Sequence, residues 1–148
     1  MLIAIFGESC TGKSTLAKTL KASLGAEIYT GKDFLRLAKN EAIAAKLFQK
    51  KLENAETGEN IIYVIAEKEH LALLPARCIR ILVTADLDTI KERFAARMRG
   101  NLPTPVAAML EKKHGSFDKE PHDFHMISGL TDLDVFIKEV LAKAVQEI

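Results

Sequence analysis

Eight consecutive residues, Gly7-Glu8-Ser9-Cys10-Thr11-Gly12-Lys13-Ser14, carry the densest chemistry in the chain. They spell G-x-x-x-x-G-K-S, a spacing suited to cradling a polyphosphate. Gly7 and Gly12 have no Cβ, so the backbone can turn tightly and approach phosphate oxygens. The N–H groups between them converge into an anion-binding nest. A helix predicted to begin at Ser14 adds the positive end of its dipole to the same place. Lys13 is suited to neutralising β- and γ-phosphates, and the Ser14 hydroxyl to holding Mg²⁺. Gly7 through Thr15 is therefore the expected ATP-binding stretch. Within it, Cys10 reads as a small spacer, and the Glu8 carboxylate is expected to turn away from the phosphates.

Such a loop works only between a strand and a helix, and the flanking residues supply both. Leu2–Phe6 is an apolar run that leads straight into Gly7. Leu16, Ala17, Leu20 and Leu24 line one face of the following helix, which Gly25 ends. A short strand is expected at Glu27–Tyr29, then a helical stretch from Lys32 to about Glu53, with Asp33 at its start and a break at Asn40. Ile61–Ala66 is too β-branched to be anything but a buried strand. Glu67–Leu74 reads as a short helix that Pro75 ends, and Cys78–Val83 as the fourth strand. Asp86 and Asp88 open a helix running to about Met98. Val106–Lys113 reads as a short helix and Phe124–Ser128 as the fifth strand. The last helix begins near Thr131, with Thr131 and Asp134 at capping-box spacing. Ile137, Val140, Leu141, Ala144 and Ile148 form its buried face. Strands alternating with helices predict a parallel sheet covered on both faces. Residues 100–121, polar and broken by Pro and Gly, have the composition of a lid.

A second tier of residues falls near the ends of these strands. Arg93 and Arg97 are four apart and share one helix face just before the lid segment. Positive charge closing over a γ-phosphate spreads the charge of a transition state, and a lid excludes water. Glu67 follows the third strand, where an acid can hold a metal-bound water, with Asp86 a weaker rival. Asp33 lies beyond the second strand and suits a proton acceptor, a metal-water ligand or a simple cap. Arg36, one turn on, suits an acceptor phosphate or carboxylate. His122 and His125 bracket a strand start and lack a third ligand, so they are not expected to bind metal.

Composition narrows the field further. The chain has 148 residues, enough for one domain with a real core. Its net charge of +1 gives no electrostatic case for nucleic acid. Two cysteines, Cys10 and Cys78, fit reduced thiols in a cytoplasmic protein. No segment approaches a membrane span. A monomer or homodimer is expected. The Asn/Thr-Lys-x-Asp motif of guanine-nucleotide switches and the Leu-Ser-Gly-Gly signature of transporter ATPases are both missing.

Tyr29-Thr30-Gly31-Lys32-Asp33-Phe34-Leu35-Arg36 resembles the Thr-Gly-Asp-x-x-Arg segment of the adenylate and cytidylate kinase family. Ile79–Arg99 is similar to that family's strand, helix and arginine-bearing approach to the lid. His122–Ser128 is similar to the segment leading into its last strand. Two departures stand out: Lys32 separates Gly31 from Asp33, and Glu67-Lys68-Glu69-His70 replaces the family's Asp-Gly-x-Pro-Arg. The resemblance implies a three-layer α/β fold with a parallel sheet ordered 2-3-1-4-5. It also implies Mg²⁺- and ATP-dependent transfer of a phosphoryl group to a nucleoside monophosphate, with Thr30 and Arg36 contacting the acceptor. A shikimate-type metabolite kinase using Asp33 as base, a nucleotide-binding switch or ATPase without an acceptor, and a polynucleotide 5′-kinase are the alternatives.

Overall fold

The sheet has five parallel strands, β1 (Leu2–Phe6), β2 (Glu27–Thr30), β3 (Ile61–Ile65), β4 (Ile79–Thr84) and β5 (Phe124–Ile127), in the order 2-3-1-4-5. A computed structural model supplies the coordinates and describes residues 1–55 and 57–146. Among the described residues four α-helices lie between strands, α1 (Lys13–Leu24), α2 (Glu41–Asn54), α3 (Leu87–Arg97) and α4 (Thr104–Lys113), and α5 (Leu133–Gln146) follows β5. Ile148, expected on the buried face of α5, lies outside the described residues. No helix among the described residues is long and apolar enough to cross a membrane.

Successive strand residues point to opposite faces, so each central strand feeds two cores. Ile3 and Ile5 of β1 join Leu16 and Leu20 of α1 and Phe136 and Val140 of α5. Leu2 and Phe6 face the other way, toward Phe48 and Leu52 of α2. Phe48 is the hub there: it stacks on Phe34 (5.4 Å between ring centres) and meets Tyr63 edge-on (4.8 Å). A smaller cluster of Ala85, Ile90 and Leu110 joins α3 and α4 beneath Cys10.

Local chemistry sets the element ends. Gly25 closes α1 in the left-handed region (φ 63°), where a Cβ is costly. The helical stretch expected from Lys32 is divided, with a 3₁₀ turn over Asp33–Leu37 and α2 starting at Glu41. Asn40 causes the division, because its side chain accepts from the Ile43 N–H at 3.1 Å and begins a new helix. Asp33 does not cap its own turn. Its Oδ2 accepts from the Thr30 N–H at 2.8 Å and closes the β2 exit. At α5 the cap is Asp132, which accepts from Val135 N–H at 3.1 Å. Thr131, expected in that role, accepts from Ile127 N–H at 2.9 Å instead.

Candidate active site

The phosphate loop, Thr30, Asp33, Arg36, Glu67 and Asp86 lie at or just after the carboxyl ends of their strands, where a parallel sheet delivers its loops, whereas Cys78 and His122 precede β4 and β5. Gly7 leaves β1 with its N–H bonded to Ile65 O at 3.2 Å. A Cβ there would come within 2.1 Å of the Val83 carbonyl oxygen, so the loop can pass β4 only as glycine. Cys10 has φ 63°, a strained left-handed value for a side-chain-bearing residue, and is buried. Gly12 (φ 101°) starts α1 with no side chain capping the helix. The first-turn N–H groups of Lys13, Ser14 and Thr15 thus face the loop without a competing oxygen from a cap. Ser14 and Thr15 are exposed, and Ser9 is half-buried along the loop.

Lys13 is folded into this loop. Its ammonium donates to the Glu8 carbonyl at 2.5 Å and lies 3.5 Å from Thr11 Oγ1, and Thr11 itself donates to Glu8 O at 2.8 Å. Burial lowers the Lys13 pKa from 10.5 to about 8. The nearby Arg97 charge adds to that lowering, while Cys10 and Glu8 oppose it. A cation held short of its full charge stability is suited to an anionic partner, which would restore it. The Glu8 carboxylate leaves the loop: it accepts from His114 Nδ1 at 3.1 Å and Gly115 N–H at 3.3 Å.

Arg93 spans the site. One guanidinium nitrogen donates to Cys10 O at 3.0 Å and the other to Ser128 Oγ at 2.9 Å. Together with Arg97 it borders a cavity of about 410 Å³ that runs from Gly12 and Thr15 to the turn after β5, at Ile127, Ser128 and Gly129. That size suits a small-molecule ligand. The sequence reading missed this wall, although Ser128-Gly129 directly after a strand was a signal for a turn approaching the site. Residues 100–121 fold onto the same region: Leu110 packs beneath Cys10, and Phe117 is buried with its ring 5.9 Å from that of Phe6.

Thr30, Asp33, Arg36 and Glu67 gather at the exits of β2 and β3, on the far side of β1 from the cavity. Thr30 is exposed, Asp33 half-buried, and Arg36 is exposed with its Nε donating to Asp33 O at 3.2 Å. The Tyr63 hydroxyl donates to Gly31 O at 2.7 Å and fixes this turn. Burial, reinforced by the charges of Asp33 and Glu67, raises the Tyr63 pKa. Glu67 is held below the usual carboxylate range, first by a hydrogen bond shared with Glu69, then by the charges of His70, Lys32 and Lys113 against a small burial effect. Asp86 is committed elsewhere, capping α3 by accepting from Thr89 N–H at 2.8 Å. His125 Nε2 meets Thr84 Oγ1 at 2.7 Å, and His122 Nδ1 donates to Glu120 O at 2.8 Å.

The fold is that of P-loop small-molecule kinases, and solved structures of that type match nearly the whole chain. A gluconokinase from Sinorhizobium meliloti aligns with a TM-score of 0.62 at 12% identity, covering 98% of this chain and 91% of that one. Shikimate kinase from Acinetobacter baumannii aligns with a TM-score of 0.64 at 12% identity, covering 97% and 92%. Deoxyadenosine kinase from M. mycoides aligns with a TM-score of 0.56 at 18% identity, covering 98% and 100%. No family model matches the chain, and no curated protein matches it.

Proposed function

We propose that this chain is an ATP- and Mg²⁺-dependent phosphotransferase that moves the γ-phosphoryl group to a hydroxyl on a small acceptor. One observation carries the reading. The uncapped start of α1, with Lys13 buried in the loop beside it, adjoins a cavity bordered by Arg93 and Arg97. The loop and α1 bind the triphosphate, and the cavity takes the nucleoside. The exposed Ser14 hydroxyl is a hard oxygen donor of the kind Mg²⁺ takes, and the ion would screen charge between the phosphates. Lys13 and Arg97 stabilise charge as the phosphoryl group leaves, and Arg93 ties the loop to the cavity wall. Residues 100–121, anchored to the loop through Glu8, act as the lid.

The acceptor lies at the exits of β2 and β3. A hydroxyl acceptor is favoured there because Asp33 offers a carboxylate at the β2 exit. Arg36, the one arginine on the β2 exit turn, is turned back onto its own turn. In this reading Asp33 accepts the hydroxyl proton. The similar kinases named for gluconate, shikimate and deoxyadenosine support this choice. The Thr30-Gly31 turn followed by Arg36 favours a second reading, a nucleoside monophosphate acceptor.

The test is a panel of polyols, hydroxy acids, nucleosides and nucleoside monophosphates with MgATP, scored for ADP and for phosphorylated product. Product from a hydroxyl compound, abolished in Lys13→Ala, is the expected result. ADP release that no acceptor stimulates would overturn the transferase reading in favour of a switch or ATPase.

A further inference from the structure

The phosphate loop carries an acid of its own. Glu8 lies between Gly7 and Ser9, inside the stretch whose N–H groups are laid out for an anion. Its side chain is only 10% exposed. Its charge is felt at the Lys13 ammonium, where burial is the larger influence and Glu8 opposes it. A carboxylate so close to the seat of a triphosphate repels it. One so little hydrated also needs donors of its own. Two such donors are present, and both belong to the lid. His114 donates from Nδ1 to Oε1 at 3.1 Å, and Gly115 N–H donates to Oε2 at 3.3 Å.

These donors sit at a bend in the chain. α4 ends at Lys113, and Gly115 turns through the left-handed region (φ 78°). Beyond the bend the chain is fixed: Phe117 is buried with its ring against Phe6, and Glu120 pairs with Lys68 at 3.4 Å. A second bend precedes α4, where Arg99 (φ 64°) and Gly100 (φ 87°) are both left-handed. Between the two bends α4 buries a single residue, Leu110. A helix held by so little between two turns is the part of the lid able to move, and His114 moves with its end.

We propose that His114 is a positioning residue for nucleotide binding: with the lid closed, it and the Gly115 N–H draw the Glu8 carboxylate out of the phosphate nest, and with the lid open they release it. This role rests on residues 100–121 acting as the lid of an ATP-binding kinase. Lid position and nucleotide affinity are then coupled through one side chain, and the coupling is reciprocal. Closure readies the loop for the triphosphate. A bound triphosphate makes release of the carboxylate costly, and so holds the lid shut. After transfer, opening of the lid returns a negative charge to the loop and hastens departure of the diphosphate.

The experiment is a double-mutant cycle on MgATP binding, read by calorimetry with the full chain. His114→Ala frees the carboxylate and should weaken binding by about fivefold or more. Glu8→Gln alone should bind MgATP at least as tightly as the wild type. Glu8→Gln added to His114→Ala should restore wild-type affinity, because no charge is left to repel the phosphates. The His114 side chain is 36% exposed and Gln matches Glu in shape, so both changes leave the core untouched. Rescue by deleting a charge marks repulsion, since a lost packing contact would leave the double variant as weak as His114→Ala or weaker. That outcome, or wild-type affinity in His114→Ala, would overturn the coupling while leaving the nucleotide site in place. A wild-type chain that takes up no MgATP would refute the nucleotide site itself, and this role with it.

Discussion

Replacing Lys13 with methionine should stabilise the nucleotide-free protein, even though it destroys the most diagnostic residue of the loop. The folded protein holds Lys13 at a pKa of about 8 against 10.5 in the unfolded chain, chiefly through burial. That difference corresponds to about 3 kcal/mol of folding free energy lost when the side chain is charged. The unfolded chain holds this proton more tightly than the folded one. The penalty is therefore complete below pH 8, shrinks as pH rises through 8, and vanishes near 10.5. Lys13→Met removes it at every pH and keeps the packing of the aliphatic stem. The Glu8 carbonyl, which Lys13 also contacts, retains the Thr11 hydroxyl as a partner at 2.8 Å. At pH 7 the variant should melt about 6–12 °C higher than the wild type, the usual conversion for a domain of this size. Urea unfolding from pH 7 to 10 gives the sharper readout. The wild type should gain on Lys13→Met by about 1.4 kcal/mol per pH unit above pH 8. A gap between the two proteins that stays constant over that range would refute the claim that Lys13 is held short of its charge.

The same balance predicts that MgATP binding at about pH 8.5 takes up a proton, because the phosphates restore the ammonium; calorimetry in buffers of different ionisation enthalpy reads this directly. Gly7→Ala sets a Cβ 2.1 Å from the Val83 carbonyl and should destabilise by about 3 kcal/mol or more, checked by urea unfolding. Asn40→Ala removes the α2 cap and should cost about 1 kcal/mol with no change in nucleotide affinity. Arg97→Ala should lower kcat by about 10²-fold with little change in ATP affinity. A loss confined to affinity would make Arg97 a ground-state contact.

Backbone-driven features of the molecule were legible in its sequence. The β-branched run of β3, the apolar run of β1 and the Gly7–Ser14 spacing specify the central strands and the loop. Strand order followed from a resemblance, and the sheet has that order. Features that side chains create over long distances were not legible. Arg93 meets Ser128 thirty-five residues away, and Glu8 meets His114 more than a hundred away. The break at Asn40 was visible, but the stacking of Phe34 on Phe48 that packs the 3₁₀ turn against α2 was not. The burial of His70 had no signal at all in a segment reading Glu-Lys-Glu-His.

This division separates the two ends of the site. The nucleotide end is built from main-chain N–H groups, a helix start and two glycines, so it tolerates few sequences and is recognisable in any of them. The proposed acceptor end hangs on side chains of two short 3₁₀ turns, after β2 and after β3. The turn after β2 is tied to β3 by Gly31 N–H to Val64 O at 2.9 Å and by Tyr63 Oη to Gly31 O at 2.7 Å. Substituting Glu67 or Glu69 leaves the core untouched, whereas substituting Gly7 does not. On the proposed function, acceptor choice can therefore change while the triphosphate site stays constant. The similarity to kinases of gluconate, shikimate and deoxyadenosine accordingly lies in the scaffold, and on the proposed function acceptor selection falls to the residues after β2 and β3.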